Sequence, residues 1–250
     1  MNKREQHLIE KYSRQIMMDQ IGISGQKKIF NSSVSVIGCG GLGTSAAQYL
    51  SMSGLGGLTL IDDDKVSLSN LNRQTLFSEK DVGKSKSLVL SERIKSINNS
   101  IKIIYFKKKV TSKNIKRFVG KDKIVLDCTD NYESRLVINK FCHLEKKILI
   151  SAALQNFELQ AFMTSSWSKH DNPCYKCIFP ELNKDTAMSC DEMGIIAPVA
   201  GLGGLIQANL AINFILKLKS NFKELILFDC LNLDLKKIKI TKNKKCTVCN

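Results

Sequence analysis

Ten residues, Val34 to Gly43, constrain this chain more than any other stretch: VSVIGCGGLG. An alternating apolar run stops at a cluster of glycines and gives way to TSAAQYLSMSG, the pattern of a strand, a tight turn and a helix start. Gly38, Gly40 and Gly43 have the spacing G-x-G-x-x-G, with Gly41 among them. The first permits the turn, the second lets backbone approach a phosphate, and the third lets the helix lie close on the strand. Peptide N–H groups at the helix start then face the ligand, with the positive end of the dipole behind them. A second strand, LTLID, ends in Asp62, placed to reach a ribose hydroxyl. A glycine-rich turn without a ligand is the alternative. Strand, helix and acid in that order favour a nucleotide.

At 250 residues the chain can bury one large α/β core, and a single domain over 1–250 is expected. Its 43% hydrophobic and 24% charged content is that of an ordinary globule. The amino-terminal MNKREQHLIEKYSRQ is charged throughout and has no apolar h-region, so a cytoplasmic protein is expected. Ile195 to Leu216 carries no formal charge and resembles a membrane span, but Pro198, Gln207, Asn209 and Asn213 argue for a helix in a core or subunit interface. The formal charge of +15 comes mostly from scattered lysines, with runs at Lys107 to Lys109, Lys236 to Lys237 and Lys244 to Lys245. Those runs lack interleaved aromatics and a recognition motif. They read as a solvated basic surface that attracts acidic partners, not as a nucleic-acid interface.

Strands alternate with helices along most of the chain. Helices are expected over Lys3 to Met17, Gln26 to Phe30, Lys84 to Asn98 and Tyr132 to Leu144, with strands at LTLID, IKIIYF, KIVLD and ILISAA. That rhythm specifies a Rossmann-like, doubly wound, mainly parallel sheet. Past Ala153 come FELQAFMTSSW, an irregular cysteine-bearing segment, the apolar helix, ELILFD and DLKKIKI. These are expected to add an antiparallel carboxyl-terminal extension to the same sheet.

The loop DDDKVSLSNLNRQ brings Asn70, Arg73 and Gln74 close behind Asp62, and Lys86 follows at the next helix. A forked guanidinium and a point-like ammonium beyond the turn suit a triphosphate better than a dinucleotide's pyrophosphate. Asp127 and Asp130 lie at the carboxyl end of KIVLD, where ligands sit in open α/β sheets. One of them is expected to meet metal or phosphate, Mg²⁺ being usual beside ATP, although Asp130 could instead cap the helix it opens. Two C-x-x-C pairs, Cys174 with Cys177 and Cys246 with Cys249, have the composition of a structural Zn²⁺ site. An iron–sulfur cluster or redox dithiols are the alternatives. Cys190 lies apart in LNKDTAMSCDEMG; it is a nucleophile only if its pKa is lowered, and Asp191 and Glu192 oppose that. Cys39, Cys128, Cys142 and Cys230 read as core.

The order YSRQI, GCGGLG, LIDDDKVSLSNLNRQ, VGKSK, DCTDN, PCYKC, SCDEMGIIAP and CTVC resembles the HesA/MoeB/ThiF family, relatives of the ubiquitin-activating enzymes. The resemblance implies an adenylyltransferase that uses MgATP to adenylate the carboxyl-terminal glycine of a ubiquitin-like sulfur-carrier protein ending in Gly-Gly. It implies adenosine on the glycine turn and Asp62, phosphates on Asn70, Arg73 and Lys86, Mg²⁺ on Asp130, and zinc on the four paired cysteines. It further implies a homodimer in which Arg14 reaches the partner's nucleotide. Cys190 matches a crossover-loop cysteine that links covalently to the carrier in some members and is not required in others. Leu159 stands where the family often has glycine, and is expected to narrow the carrier channel. No rhodanese-type domain follows Asn250, so sulfur is expected from a separate sulfurtransferase or cysteine desulfurase. A nicotinamide-dependent dehydrogenase shares the turn and the acid but calls for neither the basic loop nor the cysteine pairs, and a non-catalytic scaffold would not need every polar site position.

Overall fold

The computed structural model describes residues 3–168, 171–180, 194–218 and 220–250. The elements run α1 (Lys3–Lys11), α2 (Ser13–Ile16), α3 (Gly22–Phe30), β1 (Ser33–Ile37), α4 (Gly41–Met52), β2 (Gly57–Ile61), α5 (Lys86–Ile97) and β3 (Lys102–Phe106). Next come α6 (Ile115–Val119), β4 (Ile124–Asp127), α7 (Tyr132–Leu144), β5 (Ile148–Gln155), β6 (Glu158–Thr164), α8 (Tyr175–Ile178), α9 (Ala197–Leu216), β7 (Glu224–Asp229) and β8 (Asp234–Lys239). All strands join one sheet in the order β3-β2-β1-β4-β5-β6-β7-β8. The first five in sequence pair in parallel, and β6, β7 and β8 are added antiparallel.

Alternate residues of the inner strands supply two cores, because successive side chains point to opposite faces. Val34, Val36, Leu58 and Leu60 pack under α4, α5 and α9, whereas Ile37, Ile61, Val125 and Leu149 pack against α6 and α7. Register matters most for the site. Ile37 lies opposite both Ile61 and Asp127, so β1, β2 and β4 end at one edge. Since α4 leaves β1 on one face and α7 leaves β4 on the other, a crevice opens between those two strands.

Helix α9 is the apolar stretch that resembles a membrane span, and it lies against α4 and the sheet. A Cβ on Gly204 would stand 2.3 Å from the Leu42 carbonyl oxygen, so the close crossing requires glycine there. Gln207 is fully buried and satisfied. Its Nε2 donates to the carbonyl oxygens of Asp127 and Ile150, and its Oε1 accepts from the Cys128 thiol.

Three local expectations change. The helix expected over Lys3 to Met17 breaks at Tyr12, whose buried ring packs on Gly54 and whose hydroxyl accepts a hydrogen bond from Asn98 Nδ2 at 3.1 Å. Anchoring that ring turns the backbone and leaves two short helices. The helix expected from Lys84 starts at Lys86, because Lys84 accepts from the Val66 N–H and Ser85 bridges to Lys65 in extended backbone. Cys230 is half-buried rather than core, since it falls in the turn just past β7.

Candidate active site

The glycine turn does what its spacing demands. Gly38 has φ +93°, and a Cβ there would lie 2.6 Å from the Cys128 carbonyl oxygen, so the residue is fixed by both backbone and neighbour. Gly40 precedes α4 with no side-chain cap, which leaves the N–H groups of the first turn to a ligand. At the end of β2, Asp62 Oδ2 accepts the Cys39 N–H at 2.6 Å and Oδ1 accepts the Asp64 N–H at 2.7 Å. Burial pushes the Asp62 carboxyl up to about 6, even though those N–H groups and the Lys86 ammonium favour its charge.

The loop after Asp62 folds back over the turn. Asn70 closes a short 3₁₀ turn, Leu68–Asn70, and accepts the main-chain N–H groups of Arg73 and Gln74. The Arg73 guanidinium donates to Ser69 O at 3.0 Å and to Asn72 Oδ1 at 3.1 Å, which presents it from the cleft wall. Gln74 is 3% exposed, and its Oε1 has no hydrogen-bond partner among the described residues, a cost of about 1–3 kcal/mol that a donor would offset. Lys86 closes the floor, with Nζ 2.9 Å from Asp64 Oδ2.

Across the crevice the two candidate acids separate. Asp127 is fully buried and accepts from the Thr129 N–H and hydroxyl and from the Ser151 hydroxyl, so it shapes the loop and does not line the cleft. Asp130 is exposed in the cleft, and the cap of α7 is Asn131, whose side chain accepts the Ser134 N–H at 2.9 Å. An exposed carboxylate at that edge suits Mg²⁺, which takes one or two protein oxygens. Together these residues line a cleft of about 850 Å³ that contains Gly38, Gly40, Gly41, Asp62, Asn70, Arg73, Gln74, Lys86 and Asp130.

The four paired cysteines also come together. Cys174 Sγ lies 3.5 Å from Cys246 Sγ and 3.8 Å from Cys177 Sγ, and Cys177 lies 3.4 Å from Cys249. A tetrahedron with Zn–S bonds of about 2.3 Å has S–S edges of about 3.8 Å, so the donor set fits zinc. The buried Asn139 of α7 donates to Cys174 Sγ and accepts the Tyr175 N–H, an outer support for the first pair.

A family model described as ThiF family matches residues 12–248. The chain belongs to the ThiF family. It is 37% identical over 240 residues to the sulfur carrier protein ThiS adenylyltransferase of Escherichia coli K12, covering 96% of this chain and 94% of that one. It is 31% identical to a sulfur carrier protein adenylyltransferase of Thermus thermophilus, covering 96% and 90%. Against the adenylyltransferase and sulfurtransferase MOCS3 of Xenopus laevis it is 34% identical, and spans 54% of that longer protein. Among solved structures, E. coli MccB with MccA-N7isoAsn superposes with a TM-score of 0.83 at 24% identity, covering 96% of this chain and 75% of that chain. That likeness concerns the fold.

Some sequence-derived positions of this ThiF chain fall outside the cleft. Gly43 does not line it; a Cβ there would meet the backbone of Gly38, so the residue serves packing. Arg14 is exposed on α2 and is not among the cleft-lining residues. Cys190 lies outside the described residues. Leu159 is buried in β6 beside Gly203 of α9 and does not line the cleft, while Leu154 does. The structure adds residues that the motifs did not single out. Asp64 pairs with Lys86, and Arg135, 6% exposed, donates to the Thr129 carbonyl oxygen beside Asp130. Lys108 and Lys109, expected on a solvated surface, stand at the cleft rim. Only the lysine run carried a sequence signal.

Proposed function

We propose that this chain is an adenylyltransferase that uses ATP to activate the carboxyl-terminal glycine of a ubiquitin-like sulfur-carrier protein, releasing pyrophosphate. The carrier serves thiamine or molybdopterin synthesis. The observation that carries this reading is the convergence, in one cleft, of an uncapped helix start, a ribose-type acid, Arg73, Lys86 and Asp130. ThiF-family membership and the relatives named as sulfur-carrier adenylyltransferases support it.

In this reading Asp62 and the glycine turn hold adenosine, with Gln74 beside Gly40, while Asn70, Arg73 and Lys86 hold the phosphates. A terminal carboxylate is already a nucleophile at neutral pH, so the protein's task is orientation and charge neutralisation. Asp130 would hold Mg²⁺, which when bound neutralises phosphate charge. The four cysteines would close a structural zinc site. Arg14, exposed and not among the residues lining its own cleft, suits a homodimer in which it serves the partner's nucleotide. Sulfur would come from a separate sulfurtransferase or cysteine desulfurase, in the cytoplasm.

The test is to incubate the protein with MgATP and each candidate carrier ending in Gly-Gly, then weigh the carrier. A carrier heavier by one AMP identifies the substrate. Pyrophosphate-free reactions with every carrier, from a protein that binds ATP, would sink the proposal.

A further inference from the structure

Lys86 stands where a helix disfavours a cation. It is the first residue of α5, at the positive end of the helix dipole, and the Ser85 side chain does not cap that end. Its side chain is 8% exposed, so the ammonium has little water to compensate for lost hydration. A charge placed against local preference in a cleft signals a functional demand rather than helix stability.

Asp64 meets Lys86 at two points, one on the main chain and one on the ammonium. Its carbonyl oxygen accepts the Lys86 main-chain N–H at 3.0 Å, and its Oδ2 accepts from Nζ at 2.9 Å. Asp64 is in turn fixed by its own N–H, which donates to Asp62 Oδ1 at 2.7 Å. The other Asp62 oxygen accepts the Cys39 N–H of the glycine turn at 2.6 Å. A continuous set of hydrogen bonds therefore runs from the turn, through the ribose-type acid, to the lysine. An ordinary surface pair has two mobile, hydrated ends and contributes little. Here one end is buried, and the Asp64 carboxylate, 66% exposed, is the end that water can reach.

We propose that Asp64 is a positioning residue that holds the Lys86 ammonium in place for the polyphosphate of the nucleotide. An ammonium carries three donors, so one bond to Asp64 leaves two for phosphate oxygens. The assignment rests on the ATP reading above and adds to it a residue that acts on the nucleotide through Lys86.

The experiment measures equilibrium binding of MgATP and of adenosine, which has no phosphate. The proteins are wild type, Asp64→Ala, Asp64→Asn, Lys86→Ala and the double variant Asp64→Ala/Lys86→Ala. Losing a charge-assisted anchor is expected to weaken MgATP roughly tenfold in Asp64→Ala and adenosine less than about twofold. Asp64→Asn keeps an acceptor of the same shape and recovers part of the loss. In the Lys86→Ala background, Asp64→Ala adds less than about twofold, because the two residues act as one unit. Additive losses, equal losses of ATP and adenosine, or tighter ATP binding in Asp64→Ala each overturn the proposal. Wild-type protein that binds no ATP removes the function reading and this one with it. The expected pattern in the variants, with no AMP on any carrier, removes the function reading alone.

Discussion

A Cβ placed on Gly43 would stand 2.0 Å from the carbonyl oxygen of Gly38, two residues of the same turn pressed together by the start of α4. Gly43→Ala must therefore push the helix off β1, at a cost of about 3 kcal/mol or more. Gly201, inside α9, has no described residue within 4 Å of its hypothetical Cβ. Gly201→Ala is expected to stabilise by about 0.5–1 kcal/mol. Urea midpoints of the two variants should move in opposite directions.

Arg73 and Asp130 both line the cleft, Arg73 half-buried and Asp130 exposed. Arg73→Ala and Asp130→Ala are each expected to melt like the wild type and to form AMP-carrier on the order of a hundredfold to a thousandfold more slowly. Near-normal rates in both would remove them from the reaction.

Asp62 gives a pH signature. Burial raises its folded value from the ordinary 3.8 to about 6, so the fold binds this proton more tightly than the unfolded chain does. Its contribution to stability is full below pH 4 and disappears as the pH climbs through 6. A ribose hydroxyl needs the carboxylate form, so nucleotide affinity should run the other way and fall roughly tenfold from its plateau by pH 5. Asp62→Asn should flatten both trends, which thermal melts and binding titrations across pH 4.5 to 8 would record.

The cysteine cluster should hold one zinc ion for every chain. Cys177→Ser or Cys246→Ser is expected to lose the metal and expose the segment after β8 to proteolysis, because structural zinc contributes roughly 10–16 kcal/mol of apparent binding at neutral pH. Metal analysis and limited digestion would show both effects together, and a protein that purifies metal-free yet resists digestion would contradict the assignment.

Much of the sheet is legible in the sequence because its signals are local. Alternation marks β1 and β2, and glycine spacing marks the turn. What stayed hidden depends on contacts between distant residues. Tyr12 breaks a helix because Asn98 and Gly54 hold its ring from far along the chain. Gln207 looked like an interruption in an apolar helix, yet it satisfies two sheet carbonyls. Asp64 sits among three consecutive aspartates, and nothing in that run says which one faces Lys86. Periodicity places such residues on an element, but only the register of β1, β2 and β4 decides which of them meet.

The cysteine cluster also changes what kind of object the chain is. Cys174 and Cys246 are 72 positions apart, and joining them turns the segment that carries α9, β7 and β8 into a ring. By the logarithmic law for loop closure, a ring of that size removes about 4 kcal/mol of freedom from the unfolded chain. A metal ion there would act as a topological fastener, excluding expanded conformations before any strand has paired. The last strands of the sheet would then assemble within a tethered volume rather than from a free end.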